Sequence, residues 1–491
     1  MNWPLGVVLT LGLMLRALNL GQPIVENYVG RQIPTAMVAR NLERGSGFLA
    51  PQLDTAPFPN FFVVEPPVYQ WFVVQLRGLT GWPLEVCGRL VSNLATAIGA
   101  WGVFVLVDRR AGLGSALAAA SAFSMLPITI RYGRAFQPDA FMIGACAAAL
   151  ACWDRSTIGD RRRAAGWLGA GWLFMAMGLA AKVTAAFLLP VAVLAVFRKR
   201  DWRTAAVVVS TLVPALIWYI WADNLVAGST GSRASADNRA IWLGLIGLGA
   251  LTRGETWSHI VRFLLIRGFT PIGLAVAAWG LWPRSRRGRE GLVWWLWAGF
   301  GLSTMAVLAE KLHHEYYWLC LAPVVAAGLG RAWSLVAARS VRLAWVGALG
   351  FGVLCVGCSA STWRTPGEWR TLDQAASAVA SSTPTGDWVV APEPLLYQAD
   401  RRGCRLESTP RAAARAAAEW GTGAKVGDPL ELIEFYRSQG ARWVADVGAG
   451  AGDPRRMALH DGIRRRYKIW MDRPGFLLAE LISYEPRGHA D

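Results

Sequence analysis

Glu26 and Glu65 are the side chains whose placement could do chemistry. Glu26 follows a first apolar run, Pro4 to Leu20, by only a few residues, and Glu65 directly precedes Pro66 and Pro67. The prolines keep the backbone before them extended, so the Glu65 carboxylate can sit at a helix start, where the helix dipole favours negative charge. A carboxylate at the edge of lipid is costly unless it has a partner or a task. One such task is to take the proton of an attacking hydroxyl, which is worth about 10²–10⁴-fold in rate. On spacing and type alone, the commoner reading of both is an ordinary loop acid in water.

What must position these acids is a membrane protein. Of 491 residues, 54% are hydrophobic and 26 are Trp. Apolar runs recur along the first 360 residues, each about as long as the roughly 20 residues that a helix needs to cross the hydrocarbon. They lie at Pro4–Leu20, Leu84–Val107, Leu113–Ile130, Pro138–Trp153, Ala164–Ala181, Val183–Phe197, Thr204–Ala222, Phe263–Trp282, Gly291–Ala309, Tyr316–Ala337 and Leu343–Ala360. The expectation is an α-helical polytopic membrane protein with about eleven transmembrane helices.

The net charge of +17 follows from the same reading. Arg109 with Arg110, Arg161 to Arg163, Arg198 to Arg200, Arg284 to Arg289, and Arg339 with Arg342 fall in short loops on one side, as the positive-inside rule requires of the cytoplasmic face. Nucleic acid is therefore not an expected partner. With Met1 cytoplasmic, the loops Gly21 to Pro83 and Asp223 to Arg262 lie outside, and so does everything after about Ser361. Six of the seven Cys lie in or beside apolar runs, so no disulfide framework is indicated.

The outer loop 21–83 reads as interfacial. Pro34 can open a helix at its first position, with Ile33, Met37, Val38 and Leu42 on one side and Arg31, Arg40 and Arg44 on others. A second helix starts at Pro66 and Pro67 and carries Tyr69, Trp71, Phe72 and Leu76, with aromatics suited to the headgroup level. The expected division is thus a transmembrane domain at 1–360 and an extracytoplasmic α/β domain at 361–491. In the latter, helical patterns at Leu372–Ser381 and Pro429–Gly440 precede strand patterns at Trp388–Ala391 and Arg442–Asp446, and a last strand runs over Phe476–Ile482.

Five stretches together resemble a known family. They are Glu26-Asn27-Tyr28-Val29-Gly30-Arg31-Gln32 with Thr35 to Asn41, Val64-Glu65-Pro66-Pro67-Val68-Tyr69, Arg134-Ala135-Phe136-Gln137-Pro138-Asp139, Gly178 to Lys182, and His313-His314-Glu315-Tyr316-Tyr317 running on to Pro323. In this order they resemble the bacterial family 39-type glycosyltransferases, relatives of protein O-mannosyltransferases and of the lipid A aminoarabinose transferase. The resemblance implies the C-type glycosyltransferase fold and a small α/β domain after the last span. It departs at the first acidic site, where many relatives have Asp-Glu and this chain has Glu26 followed by Asn27.

The resemblance also implies a donor sugar carried on a polyprenyl phosphate, with transfer to a lipid, glycan or protein acceptor on the outer face of the cytoplasmic membrane. Glu26 is then the candidate general base, and Glu65 would orient the acceptor, hold the base or help bind a divalent metal ion, with Glu26 and Glu65 as the ligands if one is used. The donor phosphate and sugar fall to Arg31, Arg131, Arg134, Lys182, Lys311, His313, His314 and Tyr316. Fixed cations stabilise the charge that develops as a phosphate leaves. Arg131, Arg134, Lys182 and Lys311 lie at expected outer ends of spans, where snorkelling to the interface is the plainer alternative. Two other functions share the architecture: an oligosaccharide ligase with a pyrophosphate-linked donor, and a flippase without chemistry. No internal repeat of the transporter kind is evident.

Overall fold

The computed structural model describes residues 3–26, 29–158, 160–197, 202–227, 247–283, 291–312, 314–448 and 453–483. Arg198 to Arg200, Arg284 to Arg289, much of the second outer loop, and His313 lie outside the described residues. The chain divides into two compact units, one of residues 1–21, 65–221 and 238–363, the other of 22–64, 222–237 and 364–491.

The first unit is helical. The run at Leu84–Val107 and the first part of that at Leu113–Ile130 form two helices that meet at Gly112, whose φ of 79° only glycine adopts readily, and the second ends at Met125 before the short Pro127–Tyr132 helix. Together with the Asp139–Ser156, Arg161–Ala181 and Ala322–Ala337 helices they make the packed centre. Small residues let the backbones approach closely, as membrane helices require. A Cβ on Gly144 would lie 2.0 Å from the Ala95 carbonyl oxygen, and one on Gly280 would lie 2.0 Å from that of Gly328.

Buried polar pairs fix the helices against one another. Arg16, on the Trp3–Ala17 helix, donates from Nε to Asn93 Oδ1 at 2.7 Å and from Nη1 to the Ser124 carbonyl at 2.9 Å. Two of the loop arginines, Arg109 and Arg110, share the carboxylate of Asp154, at 2.7 and 2.8 Å. Elsewhere the helix surface is apolar. On the Val341–Ser359 helix Leu343, Val346, Leu349 and Val353 are 62–74% exposed, a face that suits lipid and not water.

Among the described residues four helices are long and apolar enough to cross a membrane, and six if each of two bent pairs counts as one span. The Trp3–Ala17, Val183–Val196 and Leu292–Val307 segments are shorter. Asp139–Ser156 carries Asp139, Asp154 and Arg155. The Phe263–Trp282 run breaks into Gly254–Phe269 and Pro271–Leu281, bent by 80° at Thr270, whose φ is 63°.

The second unit holds a five-stranded sheet: β1 (Trp388–Ala391), β2 (Gly403–Arg405), β3 (Ala441–Val447), β4 (Tyr467–Arg473) and β5 (Phe476–Ser483). The order is β2-β1-β3-β5-β4, with β2, β1 and β3 parallel and β5 antiparallel to both of its neighbours. Its core packs Val390, Cys404, Val444 and Leu477 against Ala413, Leu432, Ile433 and Ile463 of three helices.

The segment 22–64 belongs to this unit. Its helix, Val29–Glu43, begins before Pro34, which therefore lies inside the helix and not at its first position. Gln32 to Ala39 are all buried. A helix covered all round is a packed helix, so the amphipathic interfacial pattern expected of this loop is not what forms.

Candidate active site

The helix Asp139–Ser156 opens on its acid, with Pro138 just before it. A carboxylate in the first turn complements the dipole. Lys182 stands at the break between the Arg161–Ala181 helix and the 3-10 turn Val183–Phe187, on extended backbone at φ −164° and ψ 111°. That break lets the side chain leave the helix line. Its ammonium Nζ lies 2.6 Å from Asp139 Oδ1. It also stands 4.4 Å from the ring centre of Tyr316 and 4.3 Å from that of Tyr317. Aromatic faces hold a desolvated cation well, at about 2 kcal/mol.

A second cluster adjoins the first through the sequence. Glu315 begins the 3-10 turn Glu315–Leu321, directly before Tyr316. Its carboxylate accepts from Arg131 Nη1 at 3.2 Å and from Arg267 Nε at 2.6 Å. Arg131, at the end of the short Pro127–Tyr132 helix, also donates to the carbonyls of Arg267 and Cys358. The neighbouring Tyr132 ring meets Tyr316 edge to face at 6.0 Å, and His314 stacks on Tyr316 at 5.4 Å.

Three cations, Lys182, Arg131 and Arg267, thus face two carboxylates, Asp139 and Glu315. Arg131, Asp139 and Glu315 are buried. The described cluster carries one positive charge more than it balances, and burial magnifies its attraction for an anion. Its tyrosine walls offer apolar surface beside that charge.

Of the residues singled out in the sequence, Arg131, Lys182, His314 and Tyr316 come together here. Arg134 is buried and donates to the carbonyls of Asn19 at 2.8 Å and Thr362 at 3.4 Å. Lys311 closes the short turn Ala309–Lys311 and is half-buried. His313 lies outside the described residues. Glu65 is buried, three residues before the Val68–Thr80 helix.

Glu26 and Arg31 lie in the second unit. Glu26 is buried and its backbone carbonyl accepts from Gln32 Nε2 at 2.6 Å. Arg31 sits over the Phe62 ring at 5.3 Å. Neither acid faces bulk solvent, which removes the reading of both as ordinary loop carboxylates in water.

The sequence reading passed over Asp139, Glu315, Tyr317, Tyr132 and Arg267 as site residues. The first three lay within quoted motifs. Arg267 had a plainer signal, a charge inside an expected span, which marks a functional position by default. Among the described residues no group of three His, Cys, Asp or Glu side chains is placed to hold a metal ion.

The comparisons bear on this geometry. Residues 64–222 match the family described as dolichyl-phosphate-mannose-protein mannosyltransferase. No curated protein sequence matches. Among solved structures, ArnT from Cupriavidus metallidurans in the apo state superposes with a TM-score of 0.66 at 14% identity, covering 97% of each chain. The fold is that of the C-type glycosyltransferases. The same ArnT bound to undecaprenyl phosphate gives a TM-score of 0.64 at 13% identity, again over 97% of both chains. The oligosaccharyltransferase of Archaeoglobus fulgidus, in complex with Zn and sulfate, gives 0.57 at 11% identity over 90% of this chain and 68% of that one. These findings uphold the resemblance to family 39-type glycosyltransferases drawn from the five motifs, and with it a multi-pass membrane protein.

Proposed function

We propose that this chain transfers a sugar from a polyprenyl-phosphate carrier to an acceptor at the outer face of the cytoplasmic membrane. The observation that supports it is the cluster, with its excess positive charge, of buried Lys182 and Arg131 and half-buried Arg267, in a chain that shares its fold with a protein crystallised with undecaprenyl phosphate. A cationic site among aromatic rings suits the anionic head of a greasy carrier.

In the reaction the acceptor oxygen bonds to the anomeric carbon as the bond from that carbon to the phosphate oxygen breaks. The electron pair leaves with the polyprenyl phosphate, whose growing negative charge the fixed cations stabilise. Glu26 takes the acceptor proton and Glu65 orients the acceptor. Attack opposite the leaving phosphate inverts the anomeric centre. The extracytoplasmic placement of residues 361–491 follows from the charge of the short loops.

Two measurements test this. Lipid extracted from the purified chain and weighed by mass spectrometry is expected to be a polyprenyl monophosphate or its glycoside; a pyrophosphate-linked oligosaccharide instead would overturn the donor assignment. In the second, Glu26→Gln in lipid nanodiscs is expected to lose transfer while it keeps its affinity for polyprenyl phosphate. Full transfer by that variant removes Glu26 from the mechanism.

A further inference from the structure

The segment 22–64 is stitched into the sheet of residues 364–491 by backbone and side chain alike. The Gly403 amide donates to the Asp54 carbonyl at 3.0 Å, and the Ala56 amide donates to the Gly403 carbonyl at 2.7 Å. Thr55 thereby pairs in parallel with Gly403, on the open edge of β2. The edge is covered by the protein's own distant chain, which is one way that sheets protect edges.

Around this seam lies a clasp of four charged side chains. Arg40 Nη2 meets Asp54 Oδ2 at 2.5 Å, while its Nη1 donates to the Tyr397 carbonyl at 2.6 Å and lies 3.2 Å from Asp400 Oδ1. The guanidinium covers the Tyr397 ring at 4.5 Å. Arg44 takes both oxygens of Asp400, at 2.7 and 2.6 Å, and Asn41 Nδ2 reaches Asp54 Oδ1 at 3.1 Å. Asp54 is buried. Asp400 sits at φ 52°, a left-handed turn position that tolerates Asp better than most residues. The turn that joins the Glu393–Gln398 helix to β2 therefore presents its carboxylate to both arginines.

All these contacts grip the C-terminal end of the Val29–Glu43 helix. At its other end Gln32 holds the Glu26 backbone. Eight residues, about 12 Å of helix, separate Gln32 from Arg40. A helix is stiff over that length, so its grip at one end sets its pose at the other.

We infer that Arg40, Asp54 and Asp400 are positioning residues for Glu26, and that the C-terminal domain is the jig that holds the loop bearing this acid. The inference rests on the reading of Glu26 as the base. The acid is held from a distance by groups that touch no substrate, so loosening them misplaces it. A misplacement of about 1 Å costs on the order of 100-fold in rate.

The test compares Asp54→Asn, Asp400→Asn and Glu26→Gln in the full chain in nanodiscs. Asp400→Asn keeps a residue suited to the turn and removes only its charge, which guards against misfolding of the buried Asp54 variant. Amide hydrogen exchange over 29–43 is expected to speed up in both clasp variants while β3 and β5 keep wild-type protection. Turnover is expected to fall about ten- to 100-fold with unchanged affinity for polyprenyl phosphate. Either clasp change added to Glu26→Gln is expected to cost nothing more, because both act through one group. Wild-type turnover in the clasp variants beside an inactive Glu26→Gln overturns the clasp alone. Impaired clasp variants beside a fully active Glu26→Gln overturn the reading of Glu26 itself. Multiplying losses in the double variants overturn the link between the two.

Discussion

The Asp139 carboxylate and the Lys182 ammonium meet at 2.6 Å, and the other oxygen of that carboxylate accepts no hydrogen bond from the described residues. A buried pair of this kind is expensive to break from one side, at about 3–5 kcal/mol, because the survivor is left charged and alone. Replacing both partners is far milder.

Lys182→Gln is therefore expected to lower thermal stability, and the double variant Asp139→Asn with Lys182→Gln to regain most of it. Neither is expected to recover sugar transfer, since both lack the cation. Thermal melts beside turnover in nanodiscs separate the two roles. Wild-type turnover in the double variant would exclude Lys182 from donor binding.

The rings of Tyr316 and Tyr317 hold the same ammonium. Tyr316→Phe keeps the aromatic face and is expected to bind polyprenyl phosphate within a few-fold of wild type. Tyr316→Leu gives up a contact worth about 1–2 kcal/mol, or roughly ten-fold in affinity. Titration of a fluorescent polyprenyl phosphate reads the difference, and equal affinities would show that the ring face is dispensable.

Glu315 serves two arginines at once. Glu315→Gln keeps the shape and removes a charge that repels an incoming phosphate. Tighter phosphate binding together with a lower melting temperature is the expected outcome, measured by the same titration and melts. Weaker binding would mean that Glu315 shapes the arginines more than it competes with the ligand.

In the C-terminal domain Arg405 is ringed by Glu393 at 3.8 Å, Glu419 at 3.2 Å and Glu407. Burial, with Glu407 and Glu419 nearby, pushes the Glu393 carboxyl up to about 8. An acid raised on folding keeps its full contribution below its unfolded value near 4.5, and that contribution is lost as pH climbs through about 8. The domain is thus expected to loosen as pH rises from about 4.5 to about 8. Glu393→Gln should abolish much of that trend and gain on the order of 1 kcal/mol at pH 9. Labelling of Cys404, buried in the same core, reports the opening; a wild-type labelling rate that does not rise beyond the thiol's own pH dependence would exclude Glu393 as its cause.

The fold was legible where one period dominates. Leu372–Ser382, Trp388–Ala391 and Phe476–Ser483 lie within a residue of their expected bounds, because alternation and helical spacing are local signals. Strands β2 and β4 escaped for different reasons. Gly403–Arg405 is only three residues long, and in Tyr467–Arg473 the inward face of Tyr467, Ile469 and Met471 is interleaved with Lys468 and Trp470 and ends in Asp472 and Arg473, which masks its alternation. Pro34 misled because a helix start is its usual place, and a packed helix outbid that preference. In the candidate site Lys182 and Tyr316 could be read from motifs. Arg267 was marked only as a charge inside the expected span Phe263–Trp282, and its meeting with Glu315 depends on the break at Thr270, which sequence does not announce.

Pairing β2 with a segment so far upstream has a consequence for biosynthesis. Arg40 and the Tyr397 carbonyl it binds are 357 residues apart, so at about 5–20 residues per second the ribosome delivers the second roughly 20–70 s after the first. Through that interval the Val29–Glu43 helix has emerged without its seat, while helices are still being threaded into the bilayer. This unit therefore cannot close until residue 397 has been made, and a nascent chain that stalls before it carries a loop whose Arg40 has no Tyr397 carbonyl to bind.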